Sequence, residues 1–98
     1  MVINTILWNN DRASHIAKHG IEIYEVEEAV FDDPYGATKK IAVSQRDSNQ
    51  YIYRFLGRST EGRYIAFFYI YHGRSVVYPV TARDMTEAER RAYSGFKR

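Results

Sequence analysis

At 98 residues, 45% hydrophobic and 27% charged, the chain has room for one hydrophobic core and the composition of a globular domain rather than a disordered or fibrous protein. It has no Cys, which excludes disulfides and thiolate metal sites; it lacks a basic lead into an apolar run, and no stretch approaches the roughly 18 apolar residues of a spanning helix, so the expectation is a cytoplasmic protein, neither secreted nor membrane-inserted. The formal net charge of +2 conceals two opposed parts: residues 1–33 carry seven acidic against two basic side chains, a net of −5, and residues 34–98 twelve basic against five acidic, a net of +7, which points to a polyanionic partner for the second part.

Thr5-Ile6-Leu7-Trp8 reads as a short strand, and Asn9, Asn10 and Asp11 offer side-chain oxygens to the free N–H groups of a following helix. That helix runs to about Lys18 or His19, with Gly20 in the left-handed position that closes many helices. Ile23, Val26 and Val30 recur at three- and four-residue spacing and predict a second helix that buries this stripe, with Glu22, Glu25, Glu28 and Asp32 on a solvated face. Asp33-Pro34 ends it, because the residue before proline avoids helical dihedrals.

From there the period changes to two. Residues 37–44 predict a strand, 45–49 a polar turn and 51–58 a stronger strand, and a loop over 57–63 reverses the chain. Residues 63–71 are apolar or aromatic at nearly every position, a pattern that fits a central strand covered on both faces and also, by pattern alone, a buried helix. His72-Gly73-Arg74-Ser75 is a tight hairpin connection into a strand over 76–82, in which Pro79 cannot donate to the ladder and so demands an edge or a bulge. Thr86-Glu87-Ala88-Glu89 is a capping box that opens a last helix through about Tyr93. The order predicts a single α+β domain over 1–98, with the helices segregated onto one face of a curved antiparallel sheet.

The candidate functional group is basic: Arg54, Arg58, Arg63, Arg74 and Arg83. Alternation puts Arg54 and Arg58 on one strand face with Ile52 and Leu56, where planar guanidinium forks can engage phosphate oxygens; the alternative is a solvated face of scattered ion pairs. His15 and His19 are four apart, but no carboxylate or Cys completes a ligand set, so no metal is expected. His19 instead sits at a helix end beside Lys18, placed for general acid or base work near neutral pH. Tyr51, Tyr53, Phe55, Tyr64, Phe67, Phe68, Tyr69 and Tyr71 suit core packing or stacking on single-stranded bases, and the two uses can divide by sheet face. An acidic helix face would repel RNA and leave the basic sheet as its docking surface. Nucleophilic triads, phosphate-cradling glycine loops and paired-carboxylate motifs are not evident.

Trp8, then His15-Ile16-Ala17-Lys18-His19-Gly20-Ile21 and Glu25-Val26-Glu27-Glu28-Ala29-Val30-Phe31, resemble the opening of the BrnT family of small toxins. Gly57-Arg58 and Gly62-Arg63-Tyr64 resemble its hairpin, and Val80-Thr81-Ala82-Arg83-Asp84-Met85-Thr86 with Glu89-Arg90-Arg91-Ala92-Tyr93 its closing strand and helix, the most specific part of a resemblance over roughly residues 6–93. The resemblance implies a RelE-like fold and the toxin of a type II toxin-antitoxin system. Such a toxin is an endoribonuclease that needs neither metal nor cofactor, cleaves RNA through 2′-hydroxyl attack and inhibits translation. Its implied partner is a BrnA-like ribbon-helix-helix antitoxin, which neutralises it in a hetero-oligomer and represses the shared operon. On this reading Arg58 and Arg83, with Arg63, stabilise the pentavalent phosphorus, and His19 is the acid or base. Lys18 and Arg54 hold flanking phosphates, and Tyr93 stacks or donates to a phosphate. The rival reading is a non-catalytic RNA- or protein-binding module of the same fold.

Overall fold

The computed structural model describes residues 3–43 and 50–96. In chain order the elements are β1 (Thr5–Ile6), α1 (Asn10–Ala17), α2 (Ile23–Asp32), β2 (Ala37–Val43), β3 (Tyr51–Arg58), β4 (Tyr64–Gly73), β5 (Val76–Asp84) and α3 (Glu87–Phe96). The polar turn expected at 45–49 and the end of the strand expected over 37–44 lie outside the described residues.

Local chemistry sets the helix ends. Asn9 is extended and accepts the Arg12 N–H at 2.8 Å, which starts α1, and Gly20 at φ 75° turns the chain after it. Glu22 and Glu25 form a reciprocal capping box at the start of α2, and Asp33, extended before Pro34, stops it. Arg74 and Ser75 both have positive φ, the pair of left-handed residues that a two-residue hairpin between β4 and β5 requires.

The strands form one sheet in the order β1-β5-β4-β3-β2. All neighbours are antiparallel except β1, which runs parallel to β5, so the sheet is mixed rather than antiparallel throughout. Strands joined by tight turns must alternate in direction; β1 is followed by two helices and escapes that constraint. The Pro79 problem is solved by a bulge. The register shifts where Phe68 faces Thr81 and Tyr69 faces Pro79, and the carbonyl of the intervening Val80 turns outward to accept Arg12 Nη1 at 2.8 Å.

Helices cover both faces, which corrects the expectation of one helical face. Ile16 of α1, Ile21, and Val26 and Ala29 of α2 pack against Phe55, Ile65, Phe67, Tyr69, Val77 and Ala82. The alternate residues Leu56 and Ala66 point the other way and meet Met85 and Tyr93, with Tyr64 and Phe68 beside them. An apolar central strand leaves apolar side chains on both faces, and α3 buries the second set. The acidic face of α2 is not wholly solvated either: Glu25 turns toward Arg63, and Glu28 accepts the Thr60 N–H at 3.2 Å.

Candidate functional site

Register determines which basic residues meet. Arg58 lies opposite Tyr64, Leu56 opposite Ala66, Ala66 opposite Arg83, and Arg54 opposite Phe68. Arg54, Arg58 and Arg83 therefore share the face that α3 covers, in agreement with the alternation read in β3.

Their surroundings differ. Arg83 grips Glu89 with both terminal nitrogens, at 2.7 and 3.0 Å, and its guanidinium lies 5.0 Å from the Phe68 ring centre. Arg54 Nη1 approaches the same carboxylate at 3.8 Å, while its Nε is buried without a partner among the described residues. Glu89 also accepts the Thr86 N–H at 2.8 Å and so closes the capping box read from sequence. Burial pushes the Glu89 carboxyl up, but the Arg83 and Thr86 hydrogen bonds, with the charges of Arg83 and Arg54, outweigh it and hold the group below the usual glutamate range.

Arg58 is exposed. Its backbone N–H donates to Asp33 Oδ2 at 2.8 Å, and its side chain crosses Gly62, where φ is 97° and an added Cβ would lie 3.1 Å from Nη2. The guanidinium sits 5.2 Å from the Tyr64 ring centre, and that of Arg90 sits 4.1 Å from the same ring. Tyr93 meets Tyr64 edge-on at 5.8 Å and donates its hydroxyl to Asp33 Oδ2 at 2.6 Å. Burial, reinforced by Asp33, pushes the Tyr93 phenol well above its ordinary range, so it stays protonated. Beside this group opens a cleft of about 340 Å³, lined by Asp32, Asp33, Pro34, Tyr35, Arg58, Ser59, Thr60 and Tyr93.

The other sequence-chosen residues are not part of this group. Arg63 is a clip on the opposite face: Nε and Nη2 donate to Asp84 at 2.7 and 3.2 Å, and Nη1 donates to Gly20 O at 2.6 Å and Glu25 Oε1 at 3.2 Å. It joins the turn after α1, the start of α2 and the end of β5, and its hydrogen bond holds the Asp84 carboxyl below the usual range. Lys18 and His19 are exposed at the end of α1, in the layer on the far side of the sheet. The His19 ring meets His15 edge-on at 5.4 Å, and among the described residues no hydrogen bond or ion pair links it to Arg58 or Arg83. Arg74 is at the hairpin tip.

Arg90 and Asp33 belong to the group without having been singled out for function, and Tyr64 was named only among the strand aromatics suited to packing or base stacking. Asp33 was legible only as a helix stop, and Arg90 only as part of the closing-helix motif Glu89-Arg90-Arg91-Ala92-Tyr93. The aromatics lie on both faces: Tyr53, Phe67 and Tyr69 stack within the α1/α2 core, whereas Tyr64 and Phe68 pack beside the α3 cluster and lie against arginines. Among the described residues no three His, Cys, Asp or Glu side chains gather to hold a metal, and no helix is long and apolar enough to cross a membrane. No family model and no curated protein matches the chain.

Proposed function

We propose that the chain is a RelE-like toxin of the BrnT kind, a metal-independent endoribonuclease that takes single-stranded RNA on the α3 face and is neutralised by a BrnA-like ribbon-helix-helix antitoxin in the cytoplasm. The observation that carries this reading is the gathering of Arg54, Arg58 and Arg83, with Arg90, on one sheet face within the part of the chain that bears the +7 charge. The resemblance supplies the reaction. The 2′-hydroxyl gives up its proton to water as its oxygen bonds to the adjacent phosphorus, the bond to the 5′-oxygen breaks and that oxygen takes a proton from water, and the products are a 2′,3′-cyclic phosphate and a 5′-hydroxyl.

Negative charge grows on the non-bridging oxygens along that path. Arg58, exposed and without a carboxylate partner among the described residues, is the group best fitted to meet it. Arg54 and Arg83 act further along the face, beside Glu89. Tyr93, 1% exposed, braces Tyr64 and Asp33 rather than touching RNA, and Arg63 braces the opposite layer. Lys18 and His19 take no step, so the site contributes charge and positioning instead of a histidine proton acceptor. One observation favours the binding-module reading: Glu89 already occupies Arg83 and lies beside Arg54, which leaves less positive charge for a transition state.

Controlled expression of the parent and of Arg58→Ala separates the two. The enzyme reading expects growth arrest and RNA cleavage in the presence of chelator, and a loss of about 100- to 1,000-fold in cleavage rate for folded Arg58→Ala. Intact RNA, bound with a salt slope of about −0.7 per phosphate contact, would establish the binding module instead.

A further inference from the structure

Most arginines in the described residues face a carboxylate: Arg12 meets Asp11, Arg54 and Arg83 meet Glu89, Arg63 meets Asp84 and Glu25, and Arg91 meets Glu87. Arg58, Arg74 and Arg90 do not; Arg74 sits at the hairpin tip, whereas Arg58 and Arg90 both lie against the Tyr64 ring. Their guanidinium carbons are 5.2 and 4.1 Å from one ring centre, so the two are at most 9.3 Å apart.

We propose that Arg58 and Arg90, mounted on Tyr64, form a two-pronged site for a phosphate of a single-stranded RNA backbone, with Arg90 a substrate-positioning residue. The inference rests on the nucleic-acid part of the reading above and not on turnover.

Each prong is held from behind. Arg58 is fixed by its N–H bond to Asp33 and by the space at Gly62. Tyr64 is fixed by its cross-strand pairing with Arg58, by Tyr93, and by the Met85 N–H donating to its carbonyl at 3.0 Å. Arg90 lies in the opening turns of α3, where its N–H donates to the Thr86 carbonyl at 2.9 Å. The Tyr64 ring attracts both cations, and among the described residues neither guanidinium forms an ion pair with a carboxylate. A backbone phosphate suits such a pair, because each guanidinium presents a planar donor fork and an anion that both reach relieves their repulsion. Arg83 offers the same fork but spends it on Glu89, so the free pair takes the backbone first.

The test uses a 2′-O-methyl RNA oligonucleotide, which lacks the attacking hydroxyl and cannot be cleaved by this route. Its affinity is measured across a salt series for the parent, Arg90→Ala and Arg91→Ala, each verified as folded by circular dichroism. Arg91 is the control: it is one residue along the same helix, carries the same charge and pairs with Glu87 at 3.2 Å. Arg90→Ala is expected to bind about tenfold more weakly, the lower end for a hydrogen bond to a charged group, and to lose about 0.7 from the salt slope. Arg91→Ala is expected to stay within about twofold of the parent, as for a paired surface charge. Parent-like binding by Arg90→Ala, or an equal loss in Arg91→Ala, overturns the site. A parent that binds through Arg90 but leaves unmodified RNA intact upholds the site and removes the enzyme reading. A parent that cleaves RNA while Arg90→Ala binds and cleaves equally well upholds the enzyme and removes the site.

Discussion

On the face covered by α1 and α2, the sheet presents Phe55, Ile65, Phe67 and Tyr69 to a broad apolar layer, and the arginine at its end, Arg63, is locked between Asp84, Glu25 and a backbone carbonyl. On the face covered by α3, Leu56 and Ala66 are the deeply buried sheet residues among those described, and the arginines there range from paired Arg83 to exposed Arg58. The same residue type is a structural clip on one side and an accessible charge on the other. An arginine surrounded by carboxylates and half-buried loses its freedom to meet a ligand; one braced by its backbone and an aromatic ring keeps it.

The comparison is broken or sharpened most strongly in the cores. Phe67→Ala is expected to cost about 3–5 kcal/mol in urea unfolding, and Leu56→Ala about 2 kcal/mol, because a single short helix covers Leu56 and can settle into the space. A larger cost at Leu56 would reverse the ranking of the two layers. Next come the arginines: Arg63→Ala is expected to lose about 2 kcal/mol of stability through its broken charge-assisted hydrogen bonds, while RNA affinity of the folded fraction stays unchanged. Arg58→Ala should do the reverse, with stability within about 0.5 kcal/mol of the parent and RNA handling impaired.

The smallest effect separates Glu89 from its surroundings by pH. Because the folded-state carboxyl titrates below its unfolded value, its ionised form stabilises the protein fully above the ordinary glutamate range, and that stabilisation is lost as pH falls through the lower folded value. Glu89→Gln is therefore expected to cost about 1–2 kcal/mol at pH 7, with the gap to the parent closing as pH falls below about 4. A gap that holds constant down to acid unfolding would mean that the Arg83 and Arg54 contacts do not depend on the charge of Glu89.

Much of this was legible beforehand. The helix ends followed from Asn9, Gly20, Pro34 and Thr86, whose side chains or restricted dihedrals act within a few residues, whereas the Glu22–Glu25 capping box that opens α2 was not read. Arg54 and Arg58 could be assigned to one face from β3 alone. Placing Arg83 with them required the pairing of Ala66 with Arg83 across β4 and β5, which single-strand alternation does not contain. Arg63 read as a phosphate ligand because its partners are 38 and 21 residues away, as Glu25 and Asp84. Asp33 read only as a helix stop because Tyr93 is 60 residues distant.

By itself, then, the sequence determined the order of the elements and where the helices start, that the apolar run over 63–71 needed cover on all sides whether as strand or helix, and that positive charge concentrates after residue 33. These are consequences of periodicity, capping and composition, which act over a turn or a strand. Tertiary structure alone decided that α3 takes the opposite face from α1 and α2, and it also chose the arginines that carboxylates neutralise. Both depend on register and on contacts between distant segments, where one charge finds another only after the sheet has brought them within hydrogen-bond reach.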